Sequence, residues 1–217
     1  MAHEQHKELI QIIKALKPKR YLEIGVALGV NLLNDNAPHQ VGIDPTPRVD
    51  KEFRTKIYKD TSDNVFASVE FKKKETSFDF VFIDGYHEFM QVIRDIKNSL
   101  LLLNKNGVIV CHDVYPFDNL NTFKHLIDDK CPGNKLAWTG DVWKTIFYVR
   151  YCMPHLQFYT LSNFPGYLYI QRSFNYRQTE HKLISIDEIK NLPIEYGINN
   201  KDEMHIVSVE ELIKNVG

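Results

Sequence analysis

The chain has 217 residues, of which 43% are hydrophobic and 25% charged, a composition that excludes disordered, collagen-like and coiled-coil classes. At this length we expect one large domain, or one domain with an appendage. The 27 basic and 28 acidic side chains give a net charge of -1, and no stretch forms the dense basic patch expected of a nucleic-acid-binding protein.

The cysteines and the first residues indicate the compartment. Cys111, Cys131 and Cys152 lie far apart without Cys-x-x-Cys spacing, so the sequence predicts neither a disulfide framework nor a thiolate zinc site. Residues Met1 to Leu16 mix polar and apolar side chains, which excludes a secretory signal, and no run approaches the roughly 18 apolar residues of a membrane span. We therefore expect a cytoplasmic protein with reduced thiols and no membrane partner.

Strands and helices alternate in the first half of the chain. Apolar residues recur at helical spacing from Leu9 to Leu16, and Pro18 ends this predicted helix. The elements predicted after it are a strand over Arg20–Gly25, a helix over Leu28–Asn34, a strand over His39–Asp44, a weaker strand over Lys56–Lys59, a helical stretch to about Phe71, a strand over Phe78–Asp84, a helix over Phe89–Leu103 ended by Asn106 and Gly107, and a strand over Gly107–Asp113. Because these strands are apolar throughout, they predict an α/β fold with an open parallel sheet and helices on both faces.

The second half has a weaker pattern. The elements predicted there are helices over Leu120–Asp129 and Asp141–Tyr151, strands over Gln157–Leu161 and Tyr167–Arg172, a helix over Ile186–Leu192, and a last helix opened by Ser208, with Glu211 completing a capping box. The connection between the last two strands is too short for a crossover helix, so we expect that pair to be antiparallel. The predicted organisation is a domain over residues 1–172 with a helical appendage over 173–217 packed on it.

Ligands of an open parallel sheet bind beyond the carboxyl ends of its strands. The first strand leads into Glu23-Ile24-Gly25-Val26-Ala27-Leu28-Gly29, where the missing side chains of Gly25 and Gly29 let the backbone approach a ligand. Asp44 ends the second strand 19 residues after Gly25, a spacing at which a carboxylate takes the hydroxyls of a nucleoside ribose. The middle glycine of Gly-x-Gly-x-x-Gly is absent, which disfavours a pyrophosphate. A tight turn followed by an acidic strand end, with no ligand, is the alternative.

These motifs occur in order with Phe-Asp-Phe-Val-Phe-Ile-Asp-Gly-Tyr-His at 78–87 and Gly-Val-Ile-Val-Cys-His-Asp at 107–113. Over roughly residues 18–172 the series resembles class I S-adenosylmethionine-dependent methyltransferases. The Asp-Gly-x-His and His-Asp elements resemble the small-molecule O-methyltransferases that include macrocin-type sugar methyltransferases. The resemblance implies a Rossmann-like sheet, S-adenosylmethionine as cofactor and a hydroxyl of a sugar or other small molecule as methyl acceptor.

The resemblance also implies a set of cofactor contacts at the strand ends. They are Gly25 and Gly29 around the methionine, Glu23 at the loop or the amino group, Asp44 on the ribose, Ser62 of the Thr61-Ser62-Asp63 turn at the adenine edge, and Asp84. The sequence departs from the family at Ala27, where many members have a second close glycine, and at Asn31, where Ser or Thr is common. These departures leave the individual contacts open.

Asp84 and Asp113 end the fourth and fifth predicted strands. If those strands are neighbours, their ends lie about 4.8 Å apart, and the two carboxylates repel unless a cation lies between them. A divalent ion with oxygen ligands, Mg²⁺ above all, fits such a gap. His112 adjoins Asp113 and is a second candidate ligand, but strand alternation favours Asp113. A capping Asp and a solvated Asp are the alternative.

His87 follows Asp84 by three residues, in the predicted first turn of the next helix. There the helix dipole favours the neutral imidazole that a general base needs, although a structural histidine is the alternative. The segment Gly140-Asp141-Val142-Trp143-Lys144 resembles a stretch that faces the site in bacterial relatives. Trp143 could stack on a sugar ring there, or be buried in a helix.

The function predicted is therefore metal-assisted methyl transfer from S-adenosylmethionine to a hydroxyl of a sugar or other small molecule, with Asp84, His87 and Asp113 as catalytic residues. A nucleic-acid methyltransferase is a rival, but base N-methylation usually shows Asn-Pro-Pro-Tyr or Asp-Pro-Pro-Tyr after the fourth strand. A non-catalytic ligand-binding protein that kept the fold is a second rival. A homo-oligomer is compatible with the sequence, which does not name the acceptor.

Overall fold

The computed structural model describes residues 6–34, 37–49, 55–116, 138–172 and 184–216. The strands in these ranges are β1 Arg20–Ile24, β2 His39–Ile43, β3 Lys56–Tyr58, β4 Phe78–Ile83, β5 Leu103–His112, β6 Leu156–Leu161 and β7 Tyr167–Arg172. The helices are α1 Lys7–Leu16, α2 Val30–Asn34, α3 Ser62–Ala67, α4 Val69–Lys74, α5 Phe89–Leu102, α6 Lys144–Cys152, α7 Ile186–Lys190, α8 Ile194–Asn199 and α9 Val209–Val216, with a 3₁₀ turn over Lys201–Met204. The predicted helix over Leu120–Asp129 lies outside the described residues.

The described strands form one sheet in the order β3-β2-β1-β4-β5-β7-β6. β1 pairs in parallel with β2 and β4, and β2 pairs in parallel with β3. β6 and β7 are antiparallel, with Leu156 opposite Arg172 and Leu161 opposite Tyr167. This topology confirms the predicted Rossmann-like α/β fold with an open, mostly parallel sheet and an antiparallel last pair.

The chain divides into two compact units. The first takes its residues from Met1–Gly85, Arg94–Ile109 and Val209–Gly217, and the second from Tyr86–Ile93 and Val110–Ser208. Strand β5 contributes its first residues to one unit and its last residues to the other. The predicted domain over 1–172 with a C-terminal appendage stays a prediction.

The core of the first unit is built from apolar strands and from the amphipathic helices α1 and α9. Leu9 and Ile12 of α1 are fully buried, and α9 packs against this helix with Val209 and Leu212 buried. Burial of each such side chain contributes roughly 1.5–3 kcal/mol, which explains why these short helices are stable only on the sheet.

The core of the second unit surrounds α6, which is buried from Lys144 to Val149. Phe147 of this helix lies edge-on to Tyr196 of α8, with ring centroids 5.1 Å apart. No helix in the described part of the chain is long and apolar enough to cross a bilayer.

Several predicted boundaries are wrong for local reasons. The helical stretch to Phe71 is two helices, because extended Ser68 interrupts it and its hydroxyl caps α4 by accepting from the Phe71 amide at 3.2 Å. Gly107 does not end a helix: α5 ends at Leu102 and Gly107 lies inside β5. A Cβ at this position would lie 2.9 Å from Leu103 Cγ and 3.0 Å from the Phe78 carbonyl oxygen, so close packing within the unit requires the glycine.

A capping box also exists that the sequence analysis did not identify. The Ser185 hydroxyl accepts from the Glu188 amide at 3.2 Å, and Glu188 Oε2 accepts from the Ser185 amide at 2.7 Å. This box starts α7. The last helix begins at Val209, directly after the predicted Ser208.

Candidate active site

The turn after β1 is held in left-handed backbone conformations. Gly25, Ala27 and Gly29 have φ values of +92°, +46° and +72°. Ala27 thus adopts a conformation that glycine tolerates better, which fits its place where many family members carry glycine. The turn is closed by the Gly29 amide, which donates to the Val26 carbonyl at 2.7 Å.

Backbone packing within the first unit requires a glycine at position 25. A Cβ built there would lie 1.9 Å from the Asp84 carbonyl oxygen and 2.7 Å from Gly85 Cα, so the turn after β1 and the end of β4 are in backbone contact. This contact accounts for the glycine without a ligand. The role of Gly25 toward a cofactor stays a prediction.

Asp44 directly follows β2 and ties two segments together. Its side chain accepts from the Ala27 amide at 2.8 Å through Oδ2 and from the Thr46 amide at 2.7 Å through Oδ1. The residue is 8% exposed. An ionised carboxylate has about four acceptor positions, so the two oxygens keep capacity for hydroxyl donors.

Glu23 is buried inside β1, with 1% of its surface exposed. Its Oε2 accepts from the Tyr21 hydroxyl at 3.0 Å, and Asn31 Nδ2 lies 3.5 Å from Oε1. Asn31, one of the two departures from the family, is therefore a neighbour of this carboxylate. Both groups belong to the first unit, beside the turn that carries Gly25.

Ser62 is buried in the first turn of α3. The turn before it is fixed by Thr61, whose hydroxyl caps the helix at the Asn64 amide, and by Asp60, which accepts from the Thr61 amide at 2.7 Å. The Asn64 side-chain amide and then the Thr61 amide hold the pKa of Asp60 below its usual value. The adjoining Asp63 pairs with Arg94 at 3.1 Å.

In the second unit, His87 contacts three groups. Its Nε2 lies 3.0 Å from Asp113 Oδ2, its Nδ1 lies 2.9 Å from the Trp138 carbonyl oxygen, and its ring stacks on the Trp138 indole with centroids 5.1 Å apart. The prediction that His87 lies in the first turn of a helix is wrong, because α5 begins only at Phe89. The residue lies in the connection after β4.

Both ring nitrogens of His87 face oxygen atoms that accept hydrogen bonds. A carbonyl cannot donate, so the Trp138 contact requires the hydrogen on Nδ1. A neutral ring then has its lone pair on Nε2, opposite the Asp113 carboxylate. This contact is favourable when Nε2 also carries a proton or when a cation lies between the two groups. The pair can therefore accept a proton or a metal ion.

Asp113 lies just beyond β5, which ends at His112. Its φ of +60° is a left-handed conformation that Asp tolerates better than most residues, and the residue is 6% exposed. Because the strand has ended, alternation no longer separates the two neighbours, and His112 Nδ1 lies 3.5 Å from Asp113 Oδ2. The His112 ring packs on Tyr167 at 4.8 Å.

Within the second unit, His87 and Asp113 bring an imidazole nitrogen and a carboxylate oxygen together, and both atoms are possible ligands of a metal ion. His112 also contacts the Asp113 carboxylate, and the predicted ligand roles of Asp84, Asp113 and His112 stay predictions. Asp84 directly follows β4 in the first unit, and His87 and Asp113 belong to the second.

The two tryptophans of the chain have different surroundings, and only Trp143 belongs to the predicted facing segment. Trp143 is 2% exposed, lies edge-on to Phe147 with centroids 5.9 Å apart, and packs on Gly197. It is a core residue, so stacking on a sugar is wrong for Trp143. Trp138, which touches His87, was missed by the sequence analysis, since the two residues are 51 positions apart and no local pattern connects them.

Comparisons with known proteins find similar sequences and structures. Residues 22–114 match a family model described as a methyltransferase domain. The SAH-bound Podospora anserina methyltransferase PaMTH1 is similar with a TM-score of 0.56 and 22% identity, covering 78% of each chain. The SAH-bound O-methyltransferase from Bacillus cereus has a TM-score of 0.53 and 15% identity, covering 78% of this chain and 81% of its own.

A third structure is that of the MycE methyltransferase from the mycinamycin biosynthetic pathway, in complex with Mg, SAH and mycinamycin VI. It has a TM-score of 0.51 and 14% identity, covering 82% of this chain and 51% of its own. A comparison with curated proteins found no significant match. The matched segment 22–114 contains the turn after β1, Asp44 and both carboxylates that follow β4 and β5. The match covers less than half of the chain, and in its fold the chain is similar to these solved methyltransferases.

Proposed function

We propose that this protein is an S-adenosylmethionine-dependent O-methyltransferase that acts on a hydroxyl of a sugar or another small molecule, with the help of a divalent cation. The observation that carries the proposal is the His87–Asp113 pair, in which Nε2 faces a carboxylate oxygen at 3.0 Å while Nδ1 is held by a carbonyl. This arrangement suits a group that takes a proton from a hydroxyl. The similar B. cereus protein is itself an O-methyltransferase.

The cofactor contacts proposed in the first unit fit the chemistry of S-adenosylmethionine. Asp44 would accept the ribose hydroxyls with the acceptor capacity left by its two backbone contacts. The buried Glu23 carboxylate would face the amino group, and Ser62 the adenine edge. Gly29 would shape the methionine pocket together with Gly25. The cofactor supplies a methyl group bound to a positively charged sulfur, and this sulfur leaves readily as a neutral thioether.

His87 is the proposed general base. With its hydrogen on Nδ1, held by the Trp138 carbonyl, the ring offers a lone pair at Nε2 for the acceptor proton. The acceptor oxygen then forms a bond to the methyl carbon as the carbon–sulfur bond breaks, and the sulfonium becomes a thioether. The proton remains on Nε2, where the imidazolium donates to Asp113 Oδ2. Asp113 thus stabilises the protonated ring.

Asp84 and Asp113 are the proposed ligands of the cation, and MycE is a similar protein whose structure contains Mg. Two carboxylates suit a hard cation such as Mg²⁺ or Mn²⁺, and His87 is kept for proton transfer. When bound, a divalent ion increases the acidity of an acceptor hydroxyl. His112 remains a further proposed ligand, with weaker support because its ring packs on Tyr167.

The test of the base is turnover with S-adenosylmethionine against nucleotide sugars, glycans and phenols, followed as S-adenosylhomocysteine formation. His87→Ala should lower the rate by about 10² to 10⁴ while S-adenosylhomocysteine affinity stays within about twofold. His155→Ala, a change at an exposed histidine before β6, is the matched control and should keep full activity. A His87→Ala enzyme as fast as the wild type would contradict the assignment.

The metal role has its own test. Excess chelator should abolish turnover, and added Mg²⁺ or Mn²⁺ should restore it, with cofactor affinity nearly unchanged. Asp84→Asn and Asp113→Asn should reproduce the loss, because they remove charge and keep shape. Full activity in excess chelator would refute the cation and leave the chemistry to His87.

A further inference from the structure

Four residues of the second unit, Trp138 to Asp141, contact the chain around His87 at three points; we name this segment the clamp. The Trp138 carbonyl oxygen lies 2.9 Å from His87 Nδ1. Gly140 packs on the His87 backbone. Asp141 Oδ1 accepts from the Phe89 amide at 2.7 Å. Three of the four clamp residues therefore contact His87 or Phe89.

The contact at Gly140 fixes the distance between the two backbones. Gly140 has φ +62°, and a Cβ there would lie 1.8 Å from the His87 carbonyl oxygen and 2.9 Å from its carbonyl carbon. No other residue allows this approach without displacing His87. The main chain of His87 is therefore held in place from the side of the clamp.

Asp141 anchors the clamp in two directions. It is 3% exposed and accepts the first amide of α5, where a negative charge is favourable with the helix dipole. Its other oxygen lies 3.4 Å from Lys144 Nζ, and that ammonium donates to the Lys190 carbonyl at 2.7 Å. The segment before α5 is thereby tied through α6 to the end of α7.

Trp138 acts on the side chain of His87 rather than on its backbone. The carbonyl oxygen fixes Nδ1, and the indole covers one face of the imidazole with an interplanar angle of 23°. These two contacts restrict rotation of the ring, so that Nε2 points to Asp113. A displacement of about 1 Å can reduce a rate about 10²-fold, so holding this ring has kinetic value.

We infer that Trp138 and Asp141 are positioning residues for His87, and that the clamp is the element that fixes the orientation of the imidazole beside Asp113. The inference rests on the proposed function, because it assigns the value of the orientation to proton transfer. The sequence analysis placed Gly140 and Asp141 in a segment that faces the site. In this inference the two residues support His87 and do not contact the substrate.

Kinetics of three variants test the inference. Trp138→Ala should lower kcat about tenfold or more, with the acceptor KM and the S-adenosylhomocysteine Kd within about twofold. Trp138→Phe keeps a ring that can stack on the imidazole, and should recover kcat to within about threefold of the wild type. Trp143→Phe is the matched control: it should lower the melting temperature, because it opens the buried core, yet keep kcat.

A spectroscopic readout separates this inference from the proposed function. In ¹⁵N-labelled wild-type protein at fixed pH, the ring nitrogen shifts of His87 should show the hydrogen on Nδ1. Trp138→Ala removes the indole that holds the ring against the backbone carbonyl, and Asp141→Ala removes the anchor of the clamp, so both variants should mix the two tautomers. This measurement needs no acceptor, so it stands even if no hydroxyl is methylated. A wild-type ring without a hydrogen on Nδ1, or a Trp138→Ala variant with wild-type kcat, would overturn the inference.

Discussion

Replacement of Asp44 tests the cofactor site. In the structure this carboxylate holds the turn after β1 through the Ala27 amide and its own segment through the Thr46 amide. We propose that the same oxygens accept the ribose hydroxyls. Asp44→Ala should therefore have two effects, a loss of stability and a loss of cofactor affinity, which have to be measured separately.

The size of each effect follows from the contacts. Loss of two backbone hydrogen bonds to a charged acceptor, one of them to the exposed Ala27, should reduce the free energy of unfolding by about 1–2 kcal/mol. Loss of the ribose contacts should weaken binding of S-adenosylhomocysteine by about 1.5–3 kcal/mol, or roughly 10- to 150-fold. Calorimetric titration gives the affinity, and denaturant unfolding gives the stability.

Two controls separate the ribose contact from the turn. Asp79 is a second carboxylate that accepts two backbone amides, those of Lys19 and Arg20, both at 3.0 Å, at the start of β1. Asp79→Ala should lower stability but leave affinity unchanged. An S-adenosylhomocysteine analogue without ribose hydroxyls should bind wild type and Asp44→Ala with similar affinity. If Asp44→Ala weakens the analogue as much as the parent compound, the ribose assignment is wrong.

Three further outcomes concern stability, each measured by denaturant unfolding. Gly25→Ala should reduce the free energy of unfolding by about 2–5 kcal/mol, because its Cβ would meet the Asp84 backbone at 1.9 Å in a left-handed conformation; unchanged stability would contradict that contact. Glu75→Gln should cost about 1–2 kcal/mol, since the buried carboxylate pairs with Arg20 and His39, both half-exposed, and a neutral variant as stable as wild type would show that the charge is not needed. Burial, and then the charge of Arg150, lower the pKa of His205, so the folded state resists protonation while the unfolded state takes a proton near pH 6.5. The free energy of unfolding should therefore fall as pH drops below about 6.5, and His205→Asn should reduce this pH dependence. An unchanged pH dependence in His205→Asn would refute this account.

The sequence predicted the strand ends well. Apolar runs marked β1, β2, β4 and β5. Asp44, Asp84 and Asp113 directly follow β2, β4 and β5, as predicted from the carboxyl ends of those runs. The roles of these carboxylates stay predictions.

Contacts between distant segments were not predictable from the sequence. Trp138 and Asp141 contact residues 51 and 52 positions away, and no periodicity reports such pairs. The reason for Gly25 was also hidden, because a glycine needed by a ligand and one needed by a neighbouring strand look the same in sequence. Helix α8 was missed because its Ile194–Asn199 segment is short and has no strong apolar period.

The central claim is that the His87–Asp113 pair supports methyl transfer to oxygen. The most direct measurement is turnover with S-[methyl-¹³C]adenosylmethionine, with the product carbon identified by NMR for the wild type, His87→Ala and Asp113→Asn. The account predicts a methoxyl carbon with the wild type and its near absence with both variants, while both still bind S-adenosylhomocysteine. A methyl group on nitrogen or sulfur, or wild-type turnover by both variants, would contradict it.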